Sequence, residues 1–135
     1  MFSFSWKSRY SVGVEDLDRQ HQTFMKLLND LHEVMMAGNT LDAATPLIDK
    51  LVRLAGQHFA AEEGLMELTG YPGLDAHRAQ HEELSRKVNE FLVRHRNGDK
   101  AMYSHFMYFV REWFTRHMEK DDQQYAPWLA EHGIH

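Results

Sequence analysis

The chain has 135 residues, 15 Lys and Arg against 20 Asp and Glu, a formal net charge of −5, and no cysteine. The acidic balance argues against nucleic acid as a partner, because phosphate recognition needs a basic face. The lack of thiols excludes disulfides, thiolate metal sites and a Cys nucleophile.

Hydrophobic residues make up 43%, with only three Pro and eight Gly, which favours one globular core built from long helices. The start, from Met1 to Tyr10, lacks the basic and apolar regions of a secretion signal, and no apolar run approaches membrane-spanning length. A soluble cytoplasmic protein without a membrane span is expected. The unusual count is ten His.

Residues 1–15 carry Phe2, Phe4, Trp6, Tyr10, Val12 and Val14 without a helical period. They read as an extended arm whose aromatics pack on the domain. A helical period then begins near Asp18 and runs to about residue 37, with Leu17, His21, Phe24, Leu28, Leu31 and Met35 on one stripe. Asp16 or Asp18 can cap its start and Gly38 can end it. A second helix spans about 41–68, with Leu47, Leu51, Leu54, His58, Leu65 and Leu68 inward. Pro46 removes a backbone donor, so the helix either begins there, capped by Thr45, or kinks there.

After a turn at Thr69 to Gly73, a third helix covers about 74–96, with Leu74, His77, His81, Leu84, Val88, Phe91 and His95 inward. Asn97-Gly98-Asp99 breaks it. A fourth covers about 100–120, with Met102, Phe106, Phe109, Val110, Trp113 and His117 inward. A last segment, 122–132, packs through Tyr125, Trp128 and Leu129. Four helices with short connections predict a single all-α domain over 1–135. Its expected form is an up-down-up-down antiparallel four-helix bundle with an N-terminal arm and a short C-terminal helix.

Each of the four helices carries His on its apolar stripe. His77 and His81 stand at i and i+4, one above the other on a helix. His58 and Glu62 share that spacing, and Phe59 with Ala60 and Ala61 between them read as buried. His117 is followed by Asp121 at i+4 and Asp122 at i+5. Ideal helical geometry favours Asp121, yet a chain leaving the helix would let Asp122 reach back, so spacing leaves the two open. His21 alone reads more simply as a packed core residue. Burying this many imidazoles and carboxylates is costly unless they are paired or hold a metal. Neutral imidazoles with carboxylates suit first-row transition metals, iron above all. His32, His95, His105, His132 and His135 lack such partners and read as surface or structural.

The strings V-G-V-E-D-L-D-R-Q-H, H-F-A-A-E-E, H-R-A-Q-H and H-M-E-K-D-D-Q-Q-Y, in this order from Trp6 to Trp128, resemble the bacterial hemerythrins. The resemblance implies a four-helix bundle that binds dioxygen reversibly at two non-haem irons bridged by an oxo or hydroxo group. It implies His21, His58, His77, His81 and His117 as imidazole ligands and Glu62 and Asp122 as bridging carboxylates. The family spacing thus selects Asp122 over Asp121, and Glu62 over Glu63. With that set, all but one of about twelve octahedral positions are filled, His77, His81 and His117 saturating one iron and leaving the vacancy beside His21 and His58.

A His-rich, nearly saturated shell favours holding oxygen over activating it, whereas di-iron oxygenases use carboxylate-rich shells with Glu-x-x-His. The expected function is therefore oxygen storage, delivery or scavenging, not catalysis. The alternatives are a sensor module, a peroxidase or nitric-oxide-reactive enzyme, and iron storage. Dioxygen is the expected partner, with small anions or nitric oxide as further candidates. Phe24, Phe59, Trp113, Phe114 and Met118 lie near the ligands and are expected to wall a dry oxygen pocket. Gln20, Asp18, Glu63 and Tyr125 are near enough to support the ligands, and sequence assigns them no further.

Overall fold

The computed structural model describes residues 4–38 and 41–135; Phe2 and Thr40 lie outside them. Four helices form an antiparallel bundle: α1 (Glu15–Met36), α2 (Leu41–Thr69), α3 (Leu74–Arg96) and α4 (Met102–Arg116). Helices α1 and α2, α2 and α3, α3 and α4, and α4 and α1 pack as neighbours, closing a four-sided core. Among the described residues no helix is long and apolar enough to cross a membrane.

The ends of the helices follow backbone chemistry. Gly38 and Gly98 adopt φ of 71° and 77° just beyond α1 and α3, the left-handed conformation that lets trailing amides close the last turn. Gly38 N–H reaches Met35 C=O, and Asp99 N–H reaches Arg94 C=O. Arg94, His95 and Arg96 lie in the last turn of α3, where cations face the negative end of the helix dipole.

Three local expectations are corrected. Helix α1 begins at Glu15, three residues before the expected start, and neither Asp16 nor Asp18 caps it, because Val14 holds the N-cap position without a side-chain bond. Asp18 instead accepts hydrogen bonds from Val12 N–H (2.9 Å) and the Ser11 hydroxyl (2.5 Å). Helix α2 continues through Pro46, and the Thr45 hydroxyl pairs with His95 Nε2 at 2.7 Å instead of capping a helix. Leu68 is 77% exposed, Met66 is fully buried, and Ala60 also faces solvent. Relative to His58, Leu68 is rotated by about 80° at about 100° per residue, which takes it off the inner face.

The arm is not extended throughout. A 3-10 turn at Ser8–Tyr10 folds it back, and Phe4, Tyr10, Val12 and Val14 are buried. Phe4 N–H donates to Asn29 Oδ1 at 2.9 Å, and Asn29 Nδ2 donates back to Phe4 C=O at 2.8 Å.

The fourth helix begins at Met102 and does not stop at Lys120. It passes through a π turn, His117–Asp121, into α5 (Asp122–Glu131). The π turn widens the helix by one residue, a distortion common at functional sites. Asp122 N–H bonds His117 C=O, five residues back. Gln123 Nε2 donates to Met118 C=O (3.0 Å) within the turn and to Ser11 C=O (3.1 Å) in the arm. Arg9 Nε donates to Glu119 Oε1 at 2.9 Å. The arm therefore straps the π turn.

Candidate metal centre

All seven residues expected as ligands converge in one buried cluster. His21, His58, Glu62, His77, His81, His117 and Asp122 are each at most 5% exposed. They come from α1, from α2, from α3, and from the π turn with its junction to α5.

The cluster divides around its two carboxylates. Glu62 Oε1 lies 3.1 Å from His58 Nε2 and 3.4 Å from His81 Nε2, and Glu62 Oε2 lies 3.9 Å from His77 Nε2. Asp122 Oδ1 lies 2.9 Å from His117 Nε2 and 3.2 Å from His77 Nε2, and Oδ2 lies 3.4 Å from His21 Nε2. Each acid thus stands between the pair His21 and His58 on one side and the trio His77, His81 and His117 on the other. The rings of the pair are 4.2 Å apart, and those of the trio 4.6 to 5.1 Å apart.

The π turn decides between Asp121 and Asp122. The i+5 register brings Asp122 under His117 Nε2, into the cluster. Asp121 takes the outer edge of the same ring, with Oδ2 3.1 Å from Nδ1. Two adjacent acids grip opposite nitrogens of one imidazole.

Other outer nitrogens are held likewise. His58 Nδ1 donates to Gln20 Oε1 at 2.6 Å, and His81 Nδ1 donates to Glu63 Oε2 at 2.8 Å. Glu63 also accepts from Arg78 Nε at 2.9 Å. With the proton placed on Nδ1, the Nε2 lone pair of His58, His81 and His117 points inward, as metal-ligating imidazoles require. The Tyr125 hydroxyl donates to Glu62 Oε2. Of the flanking residues, Gln20, Glu63 and Tyr125 touch the cluster, and Asp18 serves the arm instead. Asp121 stands at i+4 from His117, the spacing that brings two side chains onto one helix face, and the structure puts that contact on the outer nitrogen of the ring.

A cation fits this donor set. Among the described residues, the buried side-chain atoms without a hydrogen-bond partner include His21 Nδ1 and Nε2, His58 Nε2, Glu62 Oε1, His77 Nε2 and both Asp122 oxygens; Gln80 Oε1 is the one outside the cluster. Each such buried polar atom costs about 1–3 kcal/mol when left unmet. His81 Nε2 and His117 Nε2 also face each other at 3.2 Å, where two lone pairs repel unless a proton or metal lies between. Two donor groups are compact enough to hold an ion: Glu62, His77, His81 and His117, and His21, His58 and Glu62.

The electrostatics point the same way. Burial pushes the His117 imidazole down, but the Asp122 charge 2.9 Å away and the hydrogen bond to Asp121 overcome it and hold its pKa up at about 10. Burial and repulsion from His58 lower His21 to about 4. Burial raises the Glu62 carboxyl, yet His58 and His81 hold it well below the ordinary carboxylate range. Burial, with the Glu62 and Asp122 charges, raises the Tyr125 phenol well above 10, so it stays a donor. The carboxylates draw positive charge to this spot.

Aromatic rings close the cluster on one side. Phe59 stacks on His81 at 3.9 Å and 11°, and Trp113 stacks on His117 at 4.4 Å and 20°. Phe24 packs on Phe114 at 4.1 Å, and Met118 is 1% exposed. A cavity of about 260 Å³ adjoins them, lined by Phe24, Phe59 and Phe114 together with Leu51, Val88 and Phe106 among others. Trp113 and Met118 do not line it. The remaining His lie elsewhere: His95 is buried between Thr45 and Tyr103, and His132 stacks on Trp128.

Fold and site together define a helical bundle built around a buried cluster of imidazoles and carboxylates able to hold a cation. The chain belongs to the hemerythrin HHE cation binding domain family, whose profile matches residues 12–129. A bacteriohemerythrin of Stenotrophomonas maltophilia is 32% identical over 127 residues, covering 94% of this chain and 82% of its own length. One of Methylococcus capsulatus is 29% identical over 131 residues, covering 96% and 99%. The crystal structure of a wild-type hemerythrin has a TM-score of 0.87 at 28% identity, covering 94% of this chain and 98% of its own.

Proposed function

We propose that this chain binds dioxygen reversibly at two iron ions, one held by His77, His81 and His117 and the other by His21 and His58, with Glu62 and Asp122 shared between them. The observation that carries the reading is the division of five inward imidazoles into a trio and a pair with both carboxylates between. Membership of a cation-binding family and similarity to proteins named bacteriohemerythrin support it. When bound, two ferrous ions supply the electrons that let dioxygen be held and released.

The chain's own residues set the conditions. The trio surrounds one position more completely than the pair surrounds the other, which leaves room for a small ligand on the side of His21 and His58. Gln20, Glu63 and Asp121 fix the tautomers of His58, His81 and His117. The Tyr125 hydroxyl orients Glu62. Phe24, Phe59, Trp113, Phe114 and Met118 exclude water, which protects a reduced centre from oxidation. A His-rich set that nearly surrounds both positions suits binding over turnover, so the protein acts as a carrier, store or scavenger in the cytoplasm and not as an enzyme.

The test is anaerobic loading with ferrous iron, measurement of iron per chain, and a visible spectrum recorded through cycles of air and nitrogen. Two irons per chain and a colour that comes and goes with oxygen are expected. An irreversible ferric spectrum would mean that oxygen is consumed, and loading below two irons would remove the basis of the proposal.

A further inference from the structure

A second pocket, of about 490 Å³, opens between the C-terminal part of α1 and the first turns of α4. It is lined by His32, Met35 and Met36 from α1, by Tyr103, Met107, Tyr108 and Arg111 among others from α4, and by Lys100 before it. His32 is eleven residues beyond His21 on the same helix, about 16 Å along its axis. The pocket is therefore remote from the metal cluster.

Two features give it a chemical preference. Its lining combines three thioethers and two phenol rings with Lys100, Arg111 and His32, and the lining residues described include no carboxylate. The volume falls in the range of small-molecule sites, which pair an apolar body with a few placed polar groups. Methionine sulfur is polarisable and packs well against aromatic rings.

The walls combine fixed and exposed parts. The Tyr103 hydroxyl bonds His95 Nδ1 at 3.0 Å, and His95 Nε2 bonds Thr45 Oγ1 at 2.7 Å. Tyr103 is thus tied through α3 to α2, and its ring is a rigid wall. Met107 is 3% exposed and forms a floor, whereas Met36 and Tyr108, at 73% and 70%, stand open at the rim. These two are among the few large apolar side chains left in solvent, and a ligand seated between them would cover both.

We propose that this pocket binds a small aromatic anion, its ring between the methionines and tyrosines and its acidic group toward Lys100. The site is separate from the metal centre and does not depend on the oxygen-binding reading.

The probe is anilinonaphthalene sulfonate, titrated by fluorescence into the full ferrous-loaded chain under nitrogen. The uncharged phenylnaphthylamine of similar shape serves as comparison. The expected result is one saturable sulfonate site per chain, with the neutral probe at least tenfold weaker. Lys100→Glu should weaken the sulfonate about tenfold. Ser104→Trp, an exposed position on the pocket wall, should abolish binding by filling the space. Gly56→Leu, which intrudes on the other cavity, should leave it unchanged. Absence of saturable binding, equal affinity for the neutral probe, indifference to either pocket substitution, or loss in Gly56→Leu overturns the assignment. Circular dichroism of each variant separates loss of the site from loss of the fold.

Discussion

Glu63 holds two cationic or polar donors at once, His81 Nδ1 at 2.8 Å and Arg78 Nε at 2.9 Å, and its side chain is 21% exposed. Glu63→Ala removes both bonds without opening the core, so the bundle should fold. What changes is His81: its ring loses the acceptor that keeps the proton on Nδ1 and the lone pair on Nε2. Loss of such an outer partner typically weakens metal binding about 10–100-fold, or about 1.4–2.7 kcal/mol. Arg78→Ala breaks only the second bond and leaves His81 anchored, so its effect should stay within about threefold, as for a pair near the surface. Glu63→Gln keeps an acceptor oxygen but loses its charge and should fall between. The assay is chelator competition for ferrous iron under nitrogen, with iron per chain read at each chelator concentration. Only one of the two irons should become easier to remove, because His81 belongs to the trio alone. Wild-type retention of both irons in Glu63→Ala would show that His81 is positioned by other means, such as the Phe59 stack, and would refute the argument.

Asp121 and Asp122 should separate sharply by the same measurement. Asp121→Ala weakens one iron about 10–100-fold, whereas Asp122→Ala abolishes loading of at least one; equal effects would show that the π turn does not distinguish them. Trp113→Ala removes the ring stacked on His117. It should cost about 3–5 kcal/mol in chemical denaturation and hasten decay of the oxygenated colour, and a wild-type decay rate would deny Trp113 a role in excluding water. In the metal-free protein, His21 binds its proton more weakly folded, with pKa about 4, than unfolded at 6.5. Stability should therefore fall as pH drops from about 6.5 toward 4, by at most about 3 kcal/mol. His117 has the opposite sign, with its folded pKa raised to about 10. Its contribution is full below 6.5 and is lost as pH rises toward 10. A stability maximum near pH 6.5 is expected in urea titrations, with His21→Leu flattening the acid side and His117→Leu the alkaline side. An unchanged acid slope in His21→Leu would deny His21 that role.

The helical periods and the spacing of His with acid were legible because both depend on local geometry. A 3.6-residue repeat places His21, His58, His77, His81 and His117 on apolar stripes, and burying so many imidazoles implies a common partner. The stripe misplaces Leu68, since one several turns long tolerates only a small phase error, and Ala60, expected to be buried between His58 and Glu62, faces solvent. Helical spacing could not choose between Asp121 and Asp122, because ideal helix geometry excludes i+5 and the resolving feature is a departure from it.

Sequence by itself determined the four amphipathic helices, their short connections and the set of groups able to meet in the middle. These follow from residue type and spacing along a single helix. The tertiary structure alone decided which nitrogen of His58, His81 and His117 faces inward. The partners responsible are as distant as Gln20 from His58 and Glu63 from His81, or hang on the register of one turn, as with Asp121. It also decided that the arm braces the π turn through Gln123 and Arg9. Such contacts join segments more than a hundred residues apart, and no local period can encode them: they exist only once packing of the helices brings their faces together.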